Sequence, residues 1–259
     1  MLGPDDRRQL RILGGGDWVF HLTLFPPFPL PGFIVMTQAI EILNRAARLL
    51  EDPEFVRWTK DEMLVWLSEA QIAIARVPGC YTKVVVVDLK EGARQFLPKD
   101  AWGLLTITHN VDEDDTPLRA VRLVTRSLLD SYEPNWHAAP ERQIVENFVY
   151  DDRSPREFFV YPPNDGYGRV EISYMAIPSK LTAETDEIVL DETFEPALLS
   201  YVLYRADSKD SDYAPGLQQA SSYFQTYTQE LTNAMQARGV ATPNAALAGG
   251  PANANGGTE

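Results

Sequence analysis

The residues of this chain best suited to chemistry are three acidic clusters. Asp207-Ser208-Lys209-Asp210-Ser211-Asp212 separates two aromatic, helix-patterned runs; Asp112-Glu113-Asp114-Asp115 stands before Thr116-Pro117; Glu184, Asp186 and Glu187 precede an apolar run. Carboxylates at this density could hold a hard cation or supply the pair that glycosidic hydrolysis uses. A calcium loop needs side-chain oxygens at its first, third and fifth positions, glycine at the sixth and glutamate at the twelfth. Counted from Asp207, the third position is Lys209; counted from Asp210, the fifth and sixth are Ala214 and Pro215. Both registers fail. Asp207 closing one helix, with Asp210 or Asp212 capping the next, accounts for the same residues as an inter-helix hinge. Four consecutive acids beside Thr-Pro read as a solvated hairpin tip. Glu184, Asp186 and Glu187 have no opposing partner in the sequence.

Other chemistries find less support. Cys80 is the only cysteine, so no intrachain disulfide forms, and no cluster of cations surrounds it to favour a thiolate. Three scattered histidines, His21, His109 and His137, make a zinc site improbable in pattern. There is no G-x-S-x-G elbow, no Walker loop, no H-E-x-x-H, and Gly14-Gly15-Gly16-Asp17 is too isolated to form a dinucleotide fingerprint. The sequence therefore assigns no catalytic residue, no metal ligand and no cofactor. A net charge of −14 argues against a protein that grips phosphate backbones, because that grip comes from clustered Lys and Arg.

The elements that carry these clusters follow from periodicity. Hydrophobic residues make up 44% of 259, enough for a sizeable core in one or two domains. In residues 1–35, glycine and proline interrupt every apolar patch short of the ~20 residues of a membrane span, so no membrane segment is expected. Met36 is expected to begin the folded unit, with 1–35 a flexible extension or a start assigned too early. Ile40, Leu43, Ala47 and Leu50 form one helical stripe. Thr59 and Glu62 make a capping box for a second helix, whose stripe runs through Met63, Trp66, Ala70, Ile74 and Val77 to Pro78-Gly79. Beyond Cys80 the period becomes two. Runs at 83–89, 104–111, 119–124, 144–150, 156–162, 169–177 and 187–190 predict an antiparallel β-sandwich or barrel, with 127–132 a helical connector and Asp151–Pro155 turning the clearest hairpin.

Helical spacing returns at Phe194-Glu195-Pro196. In the last helix Tyr213, Leu217, Phe224, Tyr227 and Leu231 form a sustained seam, expected to be buried in the core or at a contact between subunits. These aromatics, with Tyr201, Tyr204 and Tyr223, could stack on nucleic-acid bases, but no basic neighbours accompany them. The tail after Gly239 has Leu247 as its only large apolar residue and is expected to be disordered when free. The predicted architecture is α+β: an antiparallel helical bundle from two discontinuous pairs (36–80 and 191–238), an inserted β domain (81–190) and a C-terminal arm (239–259).

Three stretches carry a resemblance: AIEILNRAARLLEDPEFVRWTKDEMLVWLSEAQ; FVYDDRSPREFFVYPP with VEISYMAIP; and LLSYVLYRADSKDSDYA with YFQTYTQEL. Together, across most of 36–236, they resemble tailed-phage head-to-tail adaptor (neck, connector) proteins. The resemblance implies a ring subunit of the virion neck, typically twelve-fold, made in the host cytoplasm. It would dock beneath the portal and receive tail or nozzle proteins while DNA passes without sequence-specific binding. The helices would form the ring, the β domain would face outward, and an arm including Val240, Thr242, Asn244 and Leu247 would meet the portal. A β-sandwich carbohydrate-binding or hydrolytic module with helical flanks is the competing reading.

Overall fold

Capping and periodicity set the helical part. In the computed structural model, which describes residues 37–209 and 214–240, the helices are α1 (Ala39–Leu49), α2 (Lys60–Ala75), α3 (Arg126–Tyr132), α4 (Glu195–Lys209) and α5 (Ala214–Val240). The Thr59 hydroxyl accepts the Glu62 N–H at 3.4 Å, so the predicted cap opens α2. Gly79, with φ of +83°, turns the chain after α2 at little cost to a residue without Cβ. Ile42, Leu43 and Ala46 of α1, Met63, Leu67 and Ile74 of α2, Leu198 and Val202 of α4, and Tyr227 and Ala234 of α5 share one core. The chain after the sheets belongs to that core as well. Leu181, Ile188 and Leu190 are buried in it, and the strap is tied to α2 where Ser68 accepts the Leu181 N–H at 3.1 Å and Gln71 the Val189 N–H at 3.0 Å.

The β part holds β1 (Thr82–Asp88), β2 (Gly92–Phe96), β3 (Ala101–Val111), β4 (Pro117–Ala120), β5 (Arg122–Leu123), β6 (Asn147–Tyr150), β7 (Glu157–Asn164) and β8 (Arg169–Ala176). They form two four-stranded sheets, in the orders β1-β8-β3-β4 and β2-β7-β6-β5, antiparallel except for β5 beside β6. Leu104, Ile107, Ile172 and Tyr174 of the first sheet and Phe148, Phe158 and Val160 of the second line a common core. Bulges in β3 break its ladder to β8. The Leu104 N–H is satisfied instead by the Tyr150 hydroxyl from the other sheet, at 3.1 Å.

The expected hairpin around Asp151–Pro155 is present as β6 and β7, with Phe148 opposite Val160. Two expectations need correction, and one strand was not among the predicted runs. The run 119–124 is two strands in different sheets, with the chain crossing at buried Val121. Residues 187–190 are no strand: Glu187 makes one bridge to Gln38 while Ile188 and Leu190 enter the helical core. The edge strand β2 lies between the predicted runs, in a stretch assigned to no element, since Gly-Ala-Arg-Gln-Phe has little period-two alternation; Gln95 fixes its entry by bonding both backbone groups of Lys90.

Candidate functional site

The two acidic clusters that are fully described are built turns. At the tip before β4, Asp112 accepts the N–H groups of Asp114 and Thr116 at 3.0 and 2.8 Å. Arg169 donates to the carbonyls of Asp112 and Glu113 and pairs with Asp115 at 2.7 Å. Asp186 gathers the N–H groups of Thr182 and Ala183, bonds that hold its carboxyl below the ordinary carboxylate range, while Glu184 pairs with Lys60 at 2.8 Å. These carboxylates serve their own loops. Among the described residues no group of three or more His, Cys, Asp or Glu is placed to hold a metal ion. The Cys80 thiol is buried, and burial pushes its pKa up. His109 lies 3.8 Å from Glu171, and His137 stacks on Trp136. No described helix is long and apolar enough to cross a membrane.

At the hinge, Asp207 lies in the last turn of α4, which ends at Lys209. One of its carboxylate oxygens is buried without a hydrogen bond, and burial raises its pKa, an effect partly offset by Arg57. Asp210, Asp212 and Tyr213 lie outside the described residues. So do residues 1–36, His21 among them, and Thr242, Asn244 and Leu247; Val240 ends α5, and its side chain is likewise outside.

The last helix carries the surface that stands out. Ala220, Tyr227 and Ala234, spaced by seven, are the buried row against α4. Leu217 is 52% exposed and Phe224 44%, so of the two places expected for them, the core and a contact between subunits, the core of the single chain is not theirs; Leu231 is half-buried. The reason is angular. A seven-residue step advances an α-helix by about −20°, so Leu217 and Phe224 share a row that flanks the buried one. Phe224 reaches the α4 surface, with ring centroids 5.1 Å from Tyr204 and 6.0 Å from Tyr227, and Tyr201 meets Tyr227 at 5.3 Å. Four aromatic rings thus bridge α4 and α5, from buried Tyr227 out to exposed Phe224.

The same helix is nearly free of charge. Glu230 is the only Asp, Glu, Lys or Arg from Ala214 to Ala237, and it accepts a hydrogen bond from Ser200 of α4 at 3.0 Å. The outward residues are Gln, Ser, Thr and Asn around Leu217, Phe224 and Met235. Seam spacing alone hides this, because it follows the apolar residues; counting charges along the helix would have found it. At the far end Arg238 donates to the Cys80 carbonyl at 3.1 Å and lies over the Phe194 ring, 5.4 Å from its centroid.

Residues 37–248, most of the chain, match the family model of the SU10 adaptor protein. The chain belongs to that family. It is a phage adaptor, a structural protein of the virion. A search of the curated proteins finds no match. For an adaptor, the exposed and uncharged side of α5 is the candidate functional surface, and the acidic turns are the means by which its loops hold their shape.

Proposed function

We propose that this adaptor assembles as a ring, with twelve copies as the expected number, in the neck between capsid and tail. The ring docks beneath the portal, receives tail or nozzle proteins on its other side, and leaves a channel for DNA. The observation that carries the reading is the family match over 37–248. The helical geometry is in keeping with it. A ring subunit needs a stiff wall, and α5 supplies 27 residues of helix held along α4 by aromatic rings and anchored at its end through Arg238. Leu217, Phe224 and Leu231, with Tyr213 and Tyr227 on the same helical run, are the proposed seam and subunit contact. Asp207, Asp210 and Asp212 set the angle between the last two helices. The arm from Val240 through Thr242 and Asn244 to Leu247 is proposed to order on the portal.

A strongly acidic subunit suits a DNA passage, because protein of the same sign as the phosphates does not bind them. The reading requires no cofactor and no active site. Its test is negative-stain imaging of the purified protein mixed with portal rings. Extra ring density on one face of the portal is the expected result; portal particles indistinguishable from those imaged alone would reject it.

A further inference from the structure

The second sheet ends on β5, where positive charge and exposed apolar side chains meet. We propose that β5 and the side of α3 beside it form a docking cleft for an extended segment of a partner protein, one that carries a carboxylate and, two residues away, a large apolar side chain. This goes beyond the adaptor reading above and stands whether or not a ring forms.

From Pro117 to Leu129 the chain has three arginines, Arg119, Arg122 and Arg126, and no acid, in a protein of net charge −14. Arg119 pairs with Glu146 at 3.0 Å, and Arg126 lies 3.6 Å from Asp130. The guanidinium of Arg122 has neither an ion pair nor a hydrogen bond among the described residues. With Arg119, Glu146 and Asn147 it lines an open cleft of about 430 Å³. An unpaired guanidinium is a planar fork of donors that matches a carboxylate.

Apolar surface adjoins it. Asn147 also borders a second cleft, of about 190 Å³, lined by Val124, Leu128, Leu129 and Tyr132. A cavity of about 150 Å³ takes a benzene ring, so this one has room for a large side chain. Leu129 holds α3 to the sheet, in a small core with Trp136 and Val149. Leu128 is 59% exposed and Tyr132, one turn further, 82%, so the wall they form faces water. Large apolar side chains exposed side by side mark a contact surface.

The strand sets the spacing. Arg122 and Val124 donate their N–H groups to the Glu146 and Phe148 carbonyls, at 3.1 and 2.9 Å, which turns the N–H and C=O of Leu123 toward the edge where the sheet has no further strand. In an extended chain, residues two apart share a face and stand about 6.6 Å apart. Arg122 and Val124 therefore present a charged and an apolar position on one face. A strand laid along Leu123 sets a carboxylate beside the first and an apolar side chain beside the second. DNA suits this edge poorly, because one free arginine among exposed leucines offers few phosphate contacts.

The test is a fluorescence-polarisation titration of the full chain with a labelled peptide, Ser-Thr-Glu-Thr-Phe-Thr-Ser, and with versions carrying Lys for Glu or Ala for Phe. The Glu-Thr-Phe peptide should bind roughly tenfold more tightly than either version. Arg122→Glu should weaken it by a similar factor and come to prefer the Lys peptide, a reversal that a merely structural arginine would not produce. Tyr132→Ser should weaken the Glu-Thr-Phe peptide and leave the Ala version unchanged. Both side chains are exposed, so each variant should unfold at the wild-type temperature. No saturable binding at millimolar peptide, equal binding of the Glu and Lys peptides, or binding untouched by Arg122→Glu would overturn the proposal. So would displacement of the peptide by duplex DNA, or sedimentation showing that Arg122→Glu abolishes only self-association. Portal imaging of the ring is unaffected by any of these results.

Discussion

The side-chain amide of Asn164 and the backbone of Gly168 interlock. The Asn164 oxygen accepts the N–H groups of Gly166 and Gly168 at 2.9 and 3.1 Å, and its nitrogen donates to the carbonyls of Arg142 and Gln143 at 3.1 and 2.9 Å. The fit leaves no room at Gly168, where a Cβ would stand 2.1 Å from the Asn164 nitrogen and 2.5 Å from the Gln143 carbonyl. A fully buried amide thus turns β7 into β8 and pins the approach to β6.

Removing that clamp strands buried backbone groups. Asn164→Ala should lower stability by about 2–4 kcal/mol, and Gly168→Ala by a comparable amount because it expels the same side chain. Urea denaturation of both variants checks this, and a Gly168→Ala midpoint equal to wild type would show that the clamp is not needed.

Asp207 should make stability fall as pH rises. Burial raises its folded pKa, so ionisation costs the native state more than the unfolded one. The penalty is absent below the unfolded carboxylate value near 3.9, grows as pH rises to the folded value, and is constant above it. Asp207→Asn should therefore melt higher than wild type at neutral pH and converge with it in acid. Parallel melting curves across the whole pH series would contradict the burial of this carboxyl.

Two aromatic residues three positions apart on α5 should respond differently to truncation. Tyr227 is buried at 8% exposure, and Tyr227→Ala should cost roughly 3 kcal/mol in the dilute monomer. Phe224→Ala should cost about 1 kcal/mol there, because nearly half of its ring already meets water. Its larger effect belongs to association. Equal losses in chemical denaturation would place Phe224 inside the fold.

Deleting residues 240–259 should leave the thermal transition unchanged and weaken attachment to the portal. Ordering each residue of the arm costs about 1–2 kcal/mol, so only the part nearest α5, through Leu247, is expected to become fixed. Truncated protein that binds portal as tightly as the full chain in a co-sedimentation assay would refute the arm's role.

The sequence revealed those parts of the fold that depend on near neighbours. Thr59 capping Glu62, the helical stripes and the β6–β7 hairpin are all written within a few residues of themselves. Of the α1 stripe, Leu43 and Ala47 are buried as read, Ile40 and Leu50 are half-buried, and Ala39, Ile42 and Ala46 complete the buried side. What stayed hidden depends on distant partners. β2 is a strand because β7 offers it an edge, Ile188 is core because α2 captures the strap through Gln71, and Asn110 is buried because the N–H and C=O of Val145 meet its amide. Buried amides look like any polar loop residue in a linear chain. The candidate surface was half legible: Leu217 and Phe224 were found as a row, but their exposure depends on which side of α5 faces α4.

Tyr81 packs against both the helical and the β core, and its carbonyl accepts the Ala176 N–H at 3.2 Å. A few ångströms of chain away, Arg238 fastens the end of α5 to Cys80. The two halves are therefore joined by a shared ring and not by slack linker. Shifting the sheets against the helices would therefore disturb the packing of Tyr81 in both cores at once.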